Sequence, residues 1–129
     1  MGHVHVDALV QGTKVARTVR FLVDTGATYT IISQALADEL GIDVLPDYTL
    51  TLSLADSSEV EAAVGTLGIE LHGRRGAMTT AVLAGDGEPL LGVEALEALG
   101  LRVNPTSGTV EPTRARAGLL VGARPRRRR

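Results

Sequence analysis

Apolar and polar residues alternate with a period of two along much of the chain, the spacing of strands that bury one face. Tyr48, Leu50, Leu52 and Leu54 are apolar with Thr or Ser between them; Leu67, Ile69 and Leu71 repeat the pattern, and Val4 and Val6 begin it. Gln11-Gly12-Thr13 and Asp56-Ser57-Ser58 sit between such runs and predict hairpin turns. The second hairpin is long, with arms spanning 48–55 and 59–71.

Two short segments break the alternation and predict helices. Ser33 is placed to cap a helix over Gln34-Ala-Leu-Ala-Asp-Glu-Leu40, with a stop at Gly41. Val93-Glu-Ala-Leu-Glu-Ala-Leu99 forms the other, stopped by Gly100. After it come an apolar Leu101-Arg-Val103, a turn at Asn104-Pro-Thr-Ser-Gly108, and Thr109-Val-Glu111. The pattern is that of a mostly β domain with two helical interruptions. A weak repeat runs through it: Phe21-Leu-Val23, Ile31-Ile32, Leu36 and Gly41 are echoed by Ala81-Val-Leu83, Leu91-Gly92, Leu96 and Gly100.

Composition narrows this picture. The chain has 129 residues, one domain's worth, and its aromatics are only Phe21, Tyr29 and Tyr48, so Leu, Val, Ile and Ala must fill the core. With no cysteine, disulfides, thiolate catalysis and cysteine-type zinc sites are excluded. No signal peptide is evident, and no apolar run nears the ~18 residues of a membrane span. The Met1-Gly2 start lacks the Ser or Thr of a myristoylation signal, because position 6 is Val6. These features predict a soluble, cytoplasmic protein with no membrane partner.

The net charge of −2 conceals an asymmetry: residues 1–113 carry −9 and residues 114–129 carry +7. The expected organisation is a domain over 1–112 followed by an arginine-rich tail over 113–129. Such a tail reads as a solvated, flexible extension rather than a nucleic-acid contact, with self-processing a further reading.

The chemistry centres on Asp24. It ends the apolar run Phe21-Leu-Val23 and is followed by the small, turn-forming Thr25-Gly26-Ala27. A carboxylate delivered by a buried strand needs donors around it, and Gly26 lets backbone amides approach closely. Capping a local turn is the alternative role for such an aspartate. Elsewhere, His3 and His5 share a strand face, yet no third metal ligand can be named, so no metal site is expected. Asp86-Gly87-Glu88 reads as a solvated turn. No glycine-rich loop with Lys-Ser/Thr is present, which leaves a nucleotide site or other cofactor unsupported.

The segment Phe21-Leu-Val-Asp-Thr-Gly-Ala-Thr-Tyr-Thr-Ile-Ile-Ser33 resembles the active-site segment of retropepsin-like aspartic peptidases. Leu90-Leu91-Gly92, opening the second helix, resembles the family's apolar-apolar-Gly motif behind the active-site loop, and the long hairpin stands where the family has its flap. The stretch from Leu91 to Pro105 resembles small prokaryotic members more than viral ones. The resemblance implies a closed β-barrel of one lobe per chain, with two short helices. It implies an aspartic endopeptidase acting on extended polypeptide, with Asp24 catalytic. Thr25, Gly26 and Ala27 would support the active-site loop, Leu90, Leu91 and Gly92 would pack behind it, and Ala55, Asp56, Ser57, Ser58 and Glu59 would form the flap tip. The chain departs from viral members at Thr28, where they have aspartate, and at Val93, where they have arginine. Those two viral residues pair, so their joint replacement is coherent. The hairpin tip also lacks the glycine-rich sequence of viral flaps.

With one Asp-Thr/Ser-Gly in the chain, the second carboxylate that such chemistry requires would come from a second copy, making a homodimer. The competing reading is a non-catalytic dimerisation or peptide-binding module that keeps the fold.

Overall fold

The structure, a computed structural model, describes residues 3–53 and 56–113. The expected flap-tip residue Ala55 and the arginine-rich stretch from Arg114 onward therefore lie outside the described residues.

Alternation produces strands where it was expected and fixes which face turns inward. Strands β1 (Val4–Gln11) and β2 (Ala16–Val23) form an antiparallel hairpin, with Ala8, Val10, Val19 and Phe21 buried. The turn joining them closes through Gly12 N–H donating to the Val15 carbonyl at 3.1 Å. A short β3 (Thr30–Ile32) leads into helix α1 (Gln34–Leu40). Ser33 Oγ accepts from Leu36 N–H at 3.1 Å, and the helix stops at Gly41 in the left-handed region, as the sequence predicts. The β1–β2 turn covers that same C-terminal end, with Lys14 N–H donating to the Leu40 carbonyl at 3.0 Å.

The long hairpin is β4 (Val44–Ser53) with β5 (Glu59–Leu71). Along β5 the buried positions step from Ala62 and Val64 to Leu67, Ile69 and Leu71, an odd shift that changes which face turns inward. A tight turn at His72-Gly73, both with positive φ, leads to β6 (Arg74–Leu83). The remaining elements are β7 (Leu90–Leu91), α2 (Val93–Leu99), β8 (Leu101–Asn104) and β9 (Thr109–Pro112). The last two form a separate two-stranded sheet at the predicted turn.

The main sheet runs β1-β2-β7-β3-β6-β5-β4, and an additional β1–β5 pairing closes it into a ring with β4 appended outside. Thus the fold is mostly β with two short helices in one lobe, the class expected from the sequence. Phe21, Ile32, Leu40, Leu67 and Leu91 are fully buried, each stabilising the fold by about 1.5–3 kcal/mol. The internal repeat becomes an interlock. β2 pairs in parallel with β7 (Val23 beside Leu91), and β3 pairs in parallel with β6 (Ile32 beside Leu83). The first strand of each half therefore holds the second strand of the other half, and β3 meets β7 between them.

Candidate active site

Asp24 leaves β2 at the centre of this interlock. Its N–H donates to the Leu91 carbonyl at 3.0 Å, and its own carbonyl accepts from Ala27 N–H at 3.1 Å. These bonds hold residues 24–27 as a tight loop. The Asp24 carboxylate turns back over that loop, and Oδ1 accepts from Gly26 N–H at 2.9 Å. A Cβ on residue 26 would lie 3.2 Å from Oδ1, so the small residue keeps the carboxylate close to the backbone. Asp24 is half-buried, whereas Thr25 and Gly26 are exposed.

Leu90 pairs with Leu22 and Ile31, while Leu91 and the residues after it meet the loop through backbone hydrogen bonds. Leu91 is fully buried and supplies the carbonyl that receives Asp24 N–H. Gly92 N–H donates at 3.2 Å to Oγ1 of Thr30, itself fully buried. The next two amides, Val93 and Glu94, each donate at 2.9 Å to the carbonyls of Ala27 and Thr28. The opening turn of α2 thus spends its unpaired N–H groups on the loop that carries Asp24. Thr28 and Val93, the positions that depart from viral sequences, join the two segments through backbone, with no ion pair between them.

A model of the family described as gag-polyprotein putative aspartyl protease matches residues 7–98, which include this loop and most of α2. The chain belongs to the retropepsin-like aspartic proteases. The solved EIAV protease, complexed with the inhibitor HBY-793, is similar in fold at a TM-score of 0.63 and 21% identity, covering 80% of this chain and 93% of that one. A retropepsin-like aspartic protease from Rickettsia conorii is similar at a TM-score of 0.58 and 28% identity, over 80% of this chain and 77% of that one. No curated protein matches.

In this retropepsin-like chain two clefts flank the exposed Thr25. One is walled by Val93, Leu96, Leu101 and Val103, the other by Val4, Val23 and Val103. The hairpin tip stands apart from the loop in sequence and is organised by its own bonds. Asp56 accepts from both the N–H and the hydroxyl of Ser58, which holds its carboxyl below the usual range, and Ser57 takes a positive φ. Asp56, Ser57, Ser58 and Glu59 are all exposed.

Among the described residues no group of three or more His, Cys, Asp or Glu is arranged to hold a metal ion. His5 instead meets Glu88 at 2.7 Å, tying β1 to the segment before β7. No helix among them is long and apolar enough to cross a membrane.

One functional candidate escaped the sequence reading. Glu94, in the first turn of α2, accepts from Thr79 Oγ1 at 3.0 Å, Thr80 N–H at 2.7 Å and Thr80 Oγ1 at 3.2 Å. Partial burial pushes its carboxyl up, but the three donors outweigh that and bring it below the ordinary 4.5. The available signal was an acidic residue directly after the apolar-apolar-Gly motif, although such residues at a helix start commonly serve the helix alone. Because the folded value is lowered, Glu94 stabilises the fold fully above its unfolded value and loses that contribution as pH falls through the folded one. Urea denaturation should find Glu94→Gln less stable than wild type by about 1–2 kcal/mol at neutral pH. That gap should narrow on acidification toward pH ~3, below the ordinary carboxyl range. A gap independent of pH would show that the ionised carboxylate is not what matters.

Proposed function

We propose that this chain is one half of a homodimeric aspartic endopeptidase that hydrolyses peptide bonds in extended polypeptide. The observation that carries this reading is the loop geometry at Asp24. Oδ1 is held by Gly26 N–H, Oδ2 takes no hydrogen bond among the described residues, and the loop is clamped from behind by Leu91, Gly92 and α2. A half-exposed carboxylate on a rigid loop suits a group that must meet water and substrate in a fixed geometry. The exposed Thr25 between two clefts of mixed apolar and polar lining supports a second copy seated on that face, which would bring the two Asp24 side chains together.

In such a pair one carboxylate is ionised and the other protonated, because like charges at close range do not both ionise cheaply. The ionised Asp24 takes a proton from water as the water oxygen adds to the scissile carbonyl. The protonated Asp24 of the second copy donates to the carbonyl oxygen and stabilises the tetrahedral intermediate. Proton return to the departing nitrogen then breaks the C–N bond. Thr25 stiffens the paired loops, and the β4–β5 hairpin closes over the substrate. No cofactor is required. The cysteine-free sequence is compatible with a reducing compartment such as the cytosol.

Digestion of a peptide library by wild type and Asp24→Asn tests the reading directly. Cuts should appear only with wild type, and the rate should be greatest at mildly acidic to neutral pH, declining on the alkaline side as the shared proton is lost. Identical digestion by both proteins would leave a dimerisation or peptide-binding module as the better account.

Hydrogen exchange tests the hairpin. Its outer residues, 49–53 and 59–61, are mostly exposed and among the described residues β4 pairs with β5 alone, so they should be the least protected strand pair in the free protein. A statine-type inhibitor should slow exchange there markedly. An unchanged hairpin at inhibitor saturation would remove its assignment as a flap.

A further inference from the structure

We infer that the pocket between the active-site loop and the hairpin is a specificity subsite for a basic side chain, arginine or lysine, with Glu94 as its anionic floor. The inference rests on the peptidase reading and adds the class of polypeptide that the site takes.

The pocket is a cavity of about 310 Å³ whose lining includes Tyr29, Leu45, Tyr48, Val64 and two acidic residues, Asp43 and Glu94. Tyr29 ends the loop that begins at Asp24, and Glu94 N–H is bonded to the Thr28 carbonyl of that same loop. The facing wall is the hairpin: Leu45, Tyr48 and Leu50 from β4, and Val64 from β5. A polypeptide lying along the loop beneath the hairpin passes the mouth of this cavity.

Its chemistry is that of a cation site with an apolar collar. Three donors from Thr79 and Thr80 hold the Glu94 carboxylate in place and favour its ionised form. No Lys, Arg or His is paired with it among the described residues, so its charge is left for a ligand. Leu45 and Tyr48 are 53% and 47% exposed, more than apolar side chains need be, and would cover an aliphatic stem. Tyr29 and Tyr48 add ring faces to which a guanidinium or ammonium is attracted. The surrounding domain, at −9 over residues 1–113, also favours the approach of a cationic peptide. Asp43, which also lines the pocket, adds negative charge for a cation, and no third His, Cys, Asp or Glu joins Glu94 and Asp43 to hold a metal ion among the described residues.

Heptapeptide pools with arginine, lysine, citrulline or norleucine fixed at each position in turn provide the test. Citrulline keeps the shape of arginine and removes its charge. At one position relative to the cut, kcat/KM should favour arginine over citrulline by about tenfold or more. In Glu94→Gln that ratio should fall close to one, and in Tyr48→Ala, a change on the exposed hairpin, it should fall several-fold. Asp24-dependent cleavage without a basic preference at any position would overturn the subsite while leaving the peptidase reading intact. A preference undiminished in Glu94→Gln would overturn it as well. Should Asp24-dependent cleavage be absent, calorimetry with the same pools decides. Glu94-dependent discrimination of arginine from citrulline then upholds the pocket although the peptidase reading fails, and equal binding refutes it.

Discussion

Mixed with an equal amount of Asp24→Asn protein and allowed to exchange subunits fully, the wild-type chain should retain about half of its activity. Random two-fold association leaves about a quarter of all dimers with two wild-type chains, which is half the number that the same wild type forms alone. The mixed dimers hold one carboxylate and one amide, and a hydrolysis that needs both an acid and a base at one site stops there. Asp24→Asn by itself should lose a factor of about 10³ or more. Asparagine is nearly isosteric with aspartate and still accepts the Gly26 N–H through its carbonyl oxygen, so the loop should hold its shape. Relief of repulsion between the two carboxylates would tighten mixed dimers and deepen the loss. A chain containing a complete site would keep all of its activity in the mixture. Additive activities after verified exchange would therefore refute a site shared between copies.

The second large effect is expected at Gly92. A Cβ there would stand 2.5 Å from both the carbonyl carbon and oxygen of Tyr29, and 2.8 Å from the Thr28 carbonyl oxygen. Those atoms are backbone, and Glu94 N–H holds the Thr28 carbonyl in place, so they have no easy direction in which to yield. Gly92→Ala should cost about 3 kcal/mol through overpacking and lower Tm by about 10–20 °C. The loop displaced by the methyl group carries Asp24, so activity should fall even at temperatures where the variant remains folded. Gly87→Ala is the control, because a Cβ at that position meets nothing within 4 Å and the change should stay within about 0.5 kcal/mol. Thermal unfolding of Gly92→Ala within a degree or two of wild type would show that the loop and α2 are not locked together.

Much of the local structure was legible because its causes are local. Helix α1 follows from the Ser33 cap, a short amphipathic run and Gly41, and α2 from its apolar spacing and Gly100; the structure has both with the boundaries read from the sequence. The β8–β9 hairpin follows from Asn104-Pro105 and Gly108 in the same way, with Asn104 Oδ1 accepting from Thr106 and Ser107 N–H. The turn at His72-Gly73 went unread because a histidine with positive φ carries a weaker turn signal than asparagine or aspartate. The step in β5 went unread because Val64 and Gly65 are both buried, so strict alternation fails at that point. Period two identifies a strand but does not show where the strand passes from one set of neighbours to another.

The sequence by itself determined a mostly β chain, two short helices and an Asp-Thr-Gly loop at the end of an apolar strand. It determined these because capping, alternation and turn chemistry act over a few residues. Only the tertiary structure decided that β2 and β7 lie side by side, and that α2 directs its first amides into the Asp24 loop. It also decided that Gly92 is glycine because Tyr29 backbone occupies the place of a side chain, and that Glu94 meets Thr79 and Thr80 beside the hairpin. Each of these joins segments 14 or more residues apart, brought together when β1 meets β5 and the sheet closes on itself. Residue spacing records which side of a strand faces inward; which distant atom waits there depends on the closure of the whole ring.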